Sequence, residues 1–455
     1  MGKKRALHRY SRTYRYVRGK RAARRRAIRR QIWLCGAILC CAFLIAAGAR
    51  WLPQAAEEKG GSSVGKGQPS GTGEELAGEN PDIRVLLMTD GYQKETHVKA
   101  VLSAESGLVV NWGDREEEVE GKLTVEPEDD RLKEGVIRVR AREGKVKVET
   151  LHRGYGTPSY AGVIELRAAG EELVLINELP LETYLEGVVP SEMPASYEPE
   201  ALKAQAVCAR SFACRQMESF GYPEYQAHVN DSTDYQVYGN SKPAESAGEA
   251  VRATAGEAVR YQGKVVTTYY YSTSCGRTTN VEAWGTKPGK ANAYLQSVEV
   301  KGEAGDYEKD LPWYRWEARI PEEVLSRLIR ENTKEDIGTV EELTVTKRGP
   351  GDVALAIQAA GEKGAVTVET ENKIRRALGG EGYEIRKQDG TTVSSSKLLP
   401  SAFFTVKKEK DCFVIRGGGY GHGIGMSQNG ANEMAKQGMD YREILTLFYQ
   451  GVTIE

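Results

Sequence analysis

Leu173-Val-Leu-Ile-Asn-Glu-Leu-Pro-Leu-Glu-Thr-Tyr-Leu-Glu-Gly-Val-Val-Pro-Ser-Glu-Met-Pro194 carries, in one run, the change of hydrophobic period on which the fold class turns. Leu173 to Ile176 is one of the short apolar stretches that read as β-strands. Beyond Pro180 the spacing becomes helical, with Leu181, Tyr184, Leu185 and Val188 on one face, and this helix is expected to stop by Pro190. Working upstream, short apolar alternations recur between glycine and charged turns at Arg84 to Leu87, Val136 to Arg140, Lys145 to Val148 and Val163 to Leu166. They predict β-strands. Working downstream, a second helix is predicted from Pro199, a residue suited to a first turn, to about Met217. The class is α+β, with a β-rich N-terminal part followed by a helical segment.

Farther from this stretch, residues 256–284 return to strand composition, with Ala258-Val-Arg-Tyr and Val265-Val-Thr-Thr-Tyr-Tyr-Tyr. Residues 302–400 are charge-rich and less patterned, apart from an amphipathic run from Glu322 to Ile329, and read as an insertion or subdomain. Two helical stretches, Gln428 to Lys436 and Tyr441 to Tyr449, close the chain. At the other end, residues 1–31 are crowded with Lys and Arg and hold no Asp or Glu. An uncharged apolar run from Ile32 to Ala49 follows, nearly long enough at about 1.5 Å per residue to cross a hydrocarbon core of about 30 Å. A single membrane-spanning helix over 32–52 is therefore expected, with a cleaved signal peptide as the alternative. The basic flank then stays cytoplasmic and the rest is exported. Residues 53–80, rich in Gly, Ser, Glu and Lys, read as a flexible linker, and 81–455 as the ectodomain.

The formal charge of -1 hides this asymmetry, because 14 of the 63 basic residues precede Ile32 and leave 49 against 64 acids beyond it. An exported part near -15 does not grip nucleic acid or anionic wall polymers through bulk charge, and is compatible with a neutral sugar. Of the seven cysteines, Cys208, Cys214, Cys275 and Cys412 lie outside the apolar run, too sparse for a disulfide scaffold. They read as buried small thiols.

Glu192, in Pro190-Ser-Glu-Met-Pro194, lies between the two predicted helices and is pinned by prolines. A carboxyl held stiffly beside Met193 can have its pKa raised by desolvation, as a general acid requires; an acid favoured by a helix dipole is the alternative. On the second helix Lys203, Gln205 and Arg210 interrupt an alanine-rich face. Lys203 and Arg210, seven apart, share a side that could meet a substrate, Glu192 or solvent. Tyr269-Tyr-Tyr-Ser-Thr-Ser-Cys-Gly-Arg277 ends a strand with hydroxyls, and the nucleophile elbow Gly-x-Ser-x-Gly is absent. The run from Arg416 to Gln428 has six glycines within residues 417–425, which place Tyr420 and His422 in the open near Ser427 and Gln428. It lacks the Lys-Ser/Thr of a phosphate loop, and His422 has no neighbour at metal-ligand spacing.

Taken together, five stretches resemble the stage II sporulation protein D and amidase-enhancer family of bacterial cell-wall proteins. They are Ile176 to Pro194, Glu200-Ala-Leu-Lys-Ala-Gln-Ala-Val-Cys-Ala-Arg-Ser211, Asp231-Ser-Thr-Asp-Tyr-Gln-Val-Tyr238, Tyr271-Ser-Thr-Ser-Cys-Gly276 with Trp284-Gly285, and Gly419-Tyr-Gly-His-Gly-Ile-Gly-Met-Ser-Gln-Asn-Gly-Ala431. The resemblance implies a peptidoglycan lytic transglycosylase of sporulation and engulfment, acting on glycan strands stripped of stem peptides. Glu192 would be its single acid and base, producing 1,6-anhydro-muramic ends without the second carboxylate of most glycosidases. It also implies that Lys203, Gln205, Arg210, Gln236, Ser274, Tyr420, His422 and Gln428 line the groove. Expected partners are a cell-wall amidase and other membrane-bound engulfment proteins. Some members of that family hold zinc through a His and two Cys in the segment aligned with 228–238. Here His228 is present and cysteine is absent, so no zinc or other cofactor is expected. The alternative that the resemblance leaves is a non-catalytic, glycan-binding activator of an amidase.

Overall fold

The computed structural model describes residues 80–455 apart from residue 90. The expected basic segment, membrane span and nearly all of the linker lie outside the described residues, among which no helix is long and apolar enough to cross a membrane.

The N-terminal part is two packed β-sheets. The larger has seven strands in the order Val229–Asn230, Asp82–Leu86, Glu172–Pro180, Val163–Ala169, Ile137–Ala141, Leu108–Trp112 and Arg115–Val119. All neighbours are antiparallel except Val229–Asn230, which lies parallel to Asp82–Leu86. The smaller sheet orders Lys122–Val125, Ala100–Ser103, Val146–Val148 and Ser159–Tyr160. Leu173 and Leu175 enter the core shared with the second sheet, together with Ile83, Val85, Leu102 and Val146. Val174 and Ile176 point the other way, into a cluster with Leu86, Met88 and Ala227. Burial on both faces is why this strand is an unbroken apolar block rather than an alternation.

Among the described residues seven α-helices follow: α1 (Leu181–Glu192), α2 (Pro199–Gln216), α3 (Glu245–Ala253), α4 (Glu322–Thr333), α5 (Glu371–Leu378), α6 (Gln428–Lys436) and α7 (Tyr441–Phe448). Helix α2 is the axis of the molecule, packed by α1, α3, α6 and α7. Its Ala201, Ala204, Ala206, Ala209 and Ala213 are all fully buried, which lets four neighbours approach one helix. Contrary to expectation, α1 does not stop at Pro190 but carries it inside its last turn. The proline forgoes a single intrahelical bond. The turn is held nonetheless by Met193 N–H donating to the Val189 carbonyl at 2.9 Å and by Ser191 Oγ donating to the Gly187 carbonyl at 2.7 Å. Glu192 is thus the last residue of a helix and not part of a stiff connector.

Residues 302–400 are better ordered than their composition suggests. Trp316–Pro321 shows strict alternation, with Trp316, Ala318 and Ile320 inward. It is the central strand of a five-stranded antiparallel sheet ordered Thr392–Ser394, Glu384–Lys387, Trp316–Pro321, Cys412–Gly417 and Phe404–Glu409. A second sheet of Val340–Arg348, Ala354–Gly361 and Gly364–Glu369 packs with α4 and α5. The last two strands of the first sheet lie beyond Pro400, and Cys412–Gly417 runs directly into the glycine-rich loop. All four cysteines of the described residues are free thiols, three of them buried.

Candidate active site

Glu192 ends α1 partly exposed, with its carboxyl turned toward two other parts of the chain. Val237 N–H donates to Oε1 at 2.6 Å, and the Tyr270 hydroxyl bonds the same carboxyl. Burial pushes Glu192 up to about 7, against the downward pull of those two hydrogen bonds. No cation acts on it, and this separates it from most inward-facing acids of the molecule. Glu165 lies between Arg84 and Arg138 at 2.9 and 3.0 Å, Asp231 meets Arg153 at 2.5 Å, and Glu371 meets Arg375 at 2.6 Å. A carboxyl left unpaired beside a solvent path is the arrangement that keeps an acid protonated near neutrality.

A second ring of contacts fixes the groups around Glu192. Tyr270 belongs to a two-residue strand, Tyr270–Tyr271, parallel to Met426–Ser427. Its hydroxyl accepts from Gln236 Nε2 at 3.2 Å, and Gln236 Oε1 in turn accepts from the Tyr184 hydroxyl at 3.3 Å. Its carbonyl accepts from His422 Nε2 at 3.0 Å, while His422 Nδ1 accepts from Ile424 N–H at 3.0 Å. Both ring nitrogens are used, so the proton sits on Nε2. Burial, with Arg375 adding to it, holds His422 down to about 3, a neutral imidazole. Gln428, the first residue of α6, donates from Nε2 to the Glu192 carbonyl at 3.1 Å and to Gln205 Oε1 at 3.3 Å.

The glycines make this meeting possible. Gly419, Gly421, Gly423 and Gly425 all have positive φ. A Cβ on Gly421 would stand 2.6 Å from Tyr271 Cβ, and one on Gly425 only 2.0 Å from the Tyr269 carbonyl. Alternate residues of the loop therefore need both the left-handed conformation and the missing side chain. Tyr420, between them, exchanges backbone hydrogen bonds with Thr273 at 2.8 and 3.1 Å and packs its ring on Trp313 at 4.7 Å.

Of the residues expected to line a groove, the structure gathers Gln205, Gln236, His422 and Gln428 around Glu192, with Tyr420 on the adjoining loop. Lys203 instead pairs with Glu200 at 2.7 Å. Arg210 is fully buried, gripping Glu182 through Nε and Nη2 at 2.6 and 2.7 Å and the carbonyls of Glu257 and Val251 at 3.0 and 3.3 Å. Its guanidinium is enclosed by these groups and does not reach Glu192. Ser274 is buried against Glu308. Tyr270, Tyr184, Glu308 and the Val237 amide were not singled out from the sequence. Tyr270 hides in a run of three tyrosines, and a backbone amide leaves no mark in a sequence at all. The residues present do not fit zinc: His228 Nδ1 accepts from Arg84 N–H at 3.1 Å, its ring stacks on Phe220, and among the described residues no three His, Cys, Asp or Glu converge.

A family model described as stage II sporulation protein matches residues 169–261, which include Glu192, Gln205 and Gln236. A domain of unknown function matches residues 286–425, which end on the glycine-rich loop. An uncharacterized protein of Brachyspira hyodysenteriae is 32% identical over 298 residues, 65% of this chain and 72% of that protein. The stage II sporulation protein D of Bacillus amyloliquefaciens is 32% identical over 294 residues, 61% of this chain and 75% of its own length. The amidase enhancer of Bacillus subtilis is 29% identical over 296 residues, 59% of this chain and 40% of that protein.

Proposed function

From the premise that this chain belongs to the stage II sporulation protein D family, with a cell-wall-related role in sporulation, we propose that it is a peptidoglycan lytic transglycosylase with Glu192 as sole acid and base. The observation that carries this reading is the lone Glu192 carboxyl, raised to about 7 and held by Val237 N–H and the Tyr270 hydroxyl without a cation. Protonated Glu192 gives its proton to the glycosidic oxygen as the C1–O bond breaks. The resulting carboxylate then takes the proton of the muramic acid C6 hydroxyl as that oxygen bonds to C1, which closes the 1,6-anhydro ring and restores the acid. One carboxyl suffices, where a hydrolysing glycosidase uses two. The Val237 and Tyr270 donors stabilise the carboxylate between the two steps, Gln428 holds the end of α1, and neutral His422 fixes Tyr270 through its carbonyl. Glycan strands cleared of stem peptides are the substrate in this reading. The basic residues 1–31 and the apolar run after them support an N-terminal anchor with the ectodomain outside the cell membrane.

The likeness to an amidase enhancer supports a second reading, a glycan-binding activator of a separate cell-wall amidase. One experiment separates the two. The ectodomain is incubated with denuded and with intact peptidoglycan, and soluble products are read by mass spectrometry. The transglycosylase reading expects anhydro ends from denuded strands and their loss by at least about 100-fold in Glu192→Gln with an unchanged melting curve. Unchanged product from that variant removes Glu192 as the acid. No release by the wild type, together with a raised rate of an added amidase, establishes the activator instead.

A further inference from the structure

Among the described residues Glu308 is another inward acid on which no cation acts. It follows the hairpin of Lys301–Gly302 and Gly305–Asp306 and is fully buried. Its Oε1 accepts from Ser274 N–H at 2.9 Å and from the Ser427 hydroxyl at 2.8 Å, while Oε2 bonds the Ser274 hydroxyl. The titratable groups that face it are Glu433 on α6 and Tyr271 and Cys275 on the adjoining segment, none of them a cation. Burying an acid in such surroundings is costly unless its hydrogen bonds compensate. All of those bonds go to two segments, and both segments end at Glu192.

Ser274 lies four residues past Tyr270, whose hydroxyl bonds Glu192. Ser427 precedes Gln428, whose amide holds the Glu192 carbonyl, and it also caps α6 by accepting from Gly430 N–H at 3.2 Å. The two segments are joined as strands only at Tyr270↔Met426 and Tyr271↔Ser427. Beyond that short ladder the segments are tied by Ser274 N–H donating to Ser427 Oγ at 3.1 Å and by Asn429 N–H donating to the Ser272 carbonyl at 2.9 Å, and Glu308 grips the same two serines, Ser274 and Ser427. Gly430 leaves room for the carboxyl: a Cβ there would lie 3.0 Å from Glu308 Oε2.

We propose that Glu308 is a positioning residue for the Glu192 site, a buried clasp between the segment after Tyr270 and the start of α6 that sets the Tyr270 hydroxyl and the Gln428 amide against Glu192. The clasp serves the reaction on the reading of Glu192 given above. It also assigns a task to the region matched by a domain of unknown function, which supplies Glu308 to the site in addition to His422.

The test compares Glu308→Ala with Glu308→Gln in the ectodomain. The amide keeps an oxygen for Ser274 N–H and Ser427 and donates to Ser274 Oγ, so it preserves the clasp without charge. Glu308→Ala is expected to lower kcat for release of anhydro ends by about ten- to 100-fold with KM little changed, and to displace the limb of the pH profile set by Glu192. Glu308→Gln is expected to recover most of the rate. A folded Glu308→Ala protein with wild-type kcat and pH profile overturns the proposal, and so does a Glu308→Gln protein as impaired as Glu308→Ala. Should Glu308→Ala fail to fold, Ser274→Ala and Ser427→Ala, each removing one arm of the clasp, are expected to lower kcat in the same sense; wild-type rates from both overturn it. Amide hydrogen exchange at Ser274 and Gly430 separates this proposal from the transglycosylase reading. Faster exchange in the alanine variants but not in Glu308→Gln is expected even if no anhydro ends are released, and unchanged exchange overturns the clasp.

Discussion

Tyr270 joins the two halves of the site, since its hydroxyl touches Glu192 while its carbonyl is held by His422. The hydroxyl lowers the Glu192 value by favouring the carboxylate, so its removal must raise it. Tyr270→Phe is therefore expected to move the alkaline limb of kcat/KM that Glu192 would set upward by about half a unit to one unit. A pH profile from 5 to 10 checks this, and an unmoved limb would place the hydroxyl elsewhere during catalysis. Arg210 makes the opposite case. Its spacing from Lys203 is compatible with a groove-facing side, yet its guanidinium is enclosed with Glu182. Arg210→Ala is expected to cost about 3 to 5 kcal/mol in urea unfolding, because Glu182 loses its partner, while KM of the folded protein stays unchanged. Glu182→Gln in the same chain is expected to return part of that loss. Glu192 was legible as an anomaly because an acid stood between prolines in a family-like stretch. Arg210 was not, because helical spacing tells which residues share a side but not what covers it.

At the scale of elements, the glycine-rich loop was the most legible feature and α1 the least accurately bounded. Six glycines in nine residues announced a backbone that other residues cannot follow, and the four positive φ values among residues 419–425 agree. Pro190 marked a helix end under local rules, and packing of Val188, Val189 and Pro190 carried the helix two residues further. The strands of 302–400 were obscured by exposed Lys, Arg and Glu on their outer faces, although the inner positions alternate as they should. The loop allows a controlled test of steric fit against backbone conformation. Gly421→Ala meets both a φ of +123° and a Cβ 2.6 Å from Tyr271, whereas Gly438→Ala meets a φ of +93° with nothing within 4 Å. The first is expected to cost at least about 2 kcal/mol and most of the activity, the second about 1 kcal/mol and no activity. Thermal unfolding and product release measured on both variants check the pair, and equal effects would mean that the close approach to Tyr271 is not needed.

Over the whole molecule, the α+β class was legible because both periods are long and clean around Pro180, while the two-sheet packing was not, because strand order is set by contacts between distant segments. Its electrostatics were legible only as a sum. Among the buried titratable groups, two sets oppose one another. Glu192 and Glu308 both stand at about 7 against an ordinary value of 4.5. Between those values the folded state keeps protons that the unfolded state has released, so their effect on stability is least unfavourable below 4.5 and worsens as pH rises to 7. His97, His228 and His422 are all held below the ordinary 6.5, the last two at about 4 and about 3. Here the unfolded state takes up protons first, so the stability they confer is complete above 6.5 and is lost as pH falls. The two sets oppose one another between about 4.5 and 6.5, and the wild type is expected to change little there on their account. The carboxyl contribution is exposed by difference. A Glu192→Gln, Glu308→Gln double variant is expected to gain stability over the wild type progressively from pH 5 to 7, by a few kcal/mol in total, and to hold a constant advantage above 8. Urea unfolding at unit steps of pH measures that difference, and an advantage that does not grow between pH 5 and 7 would show that neither carboxyl keeps its proton in the folded protein.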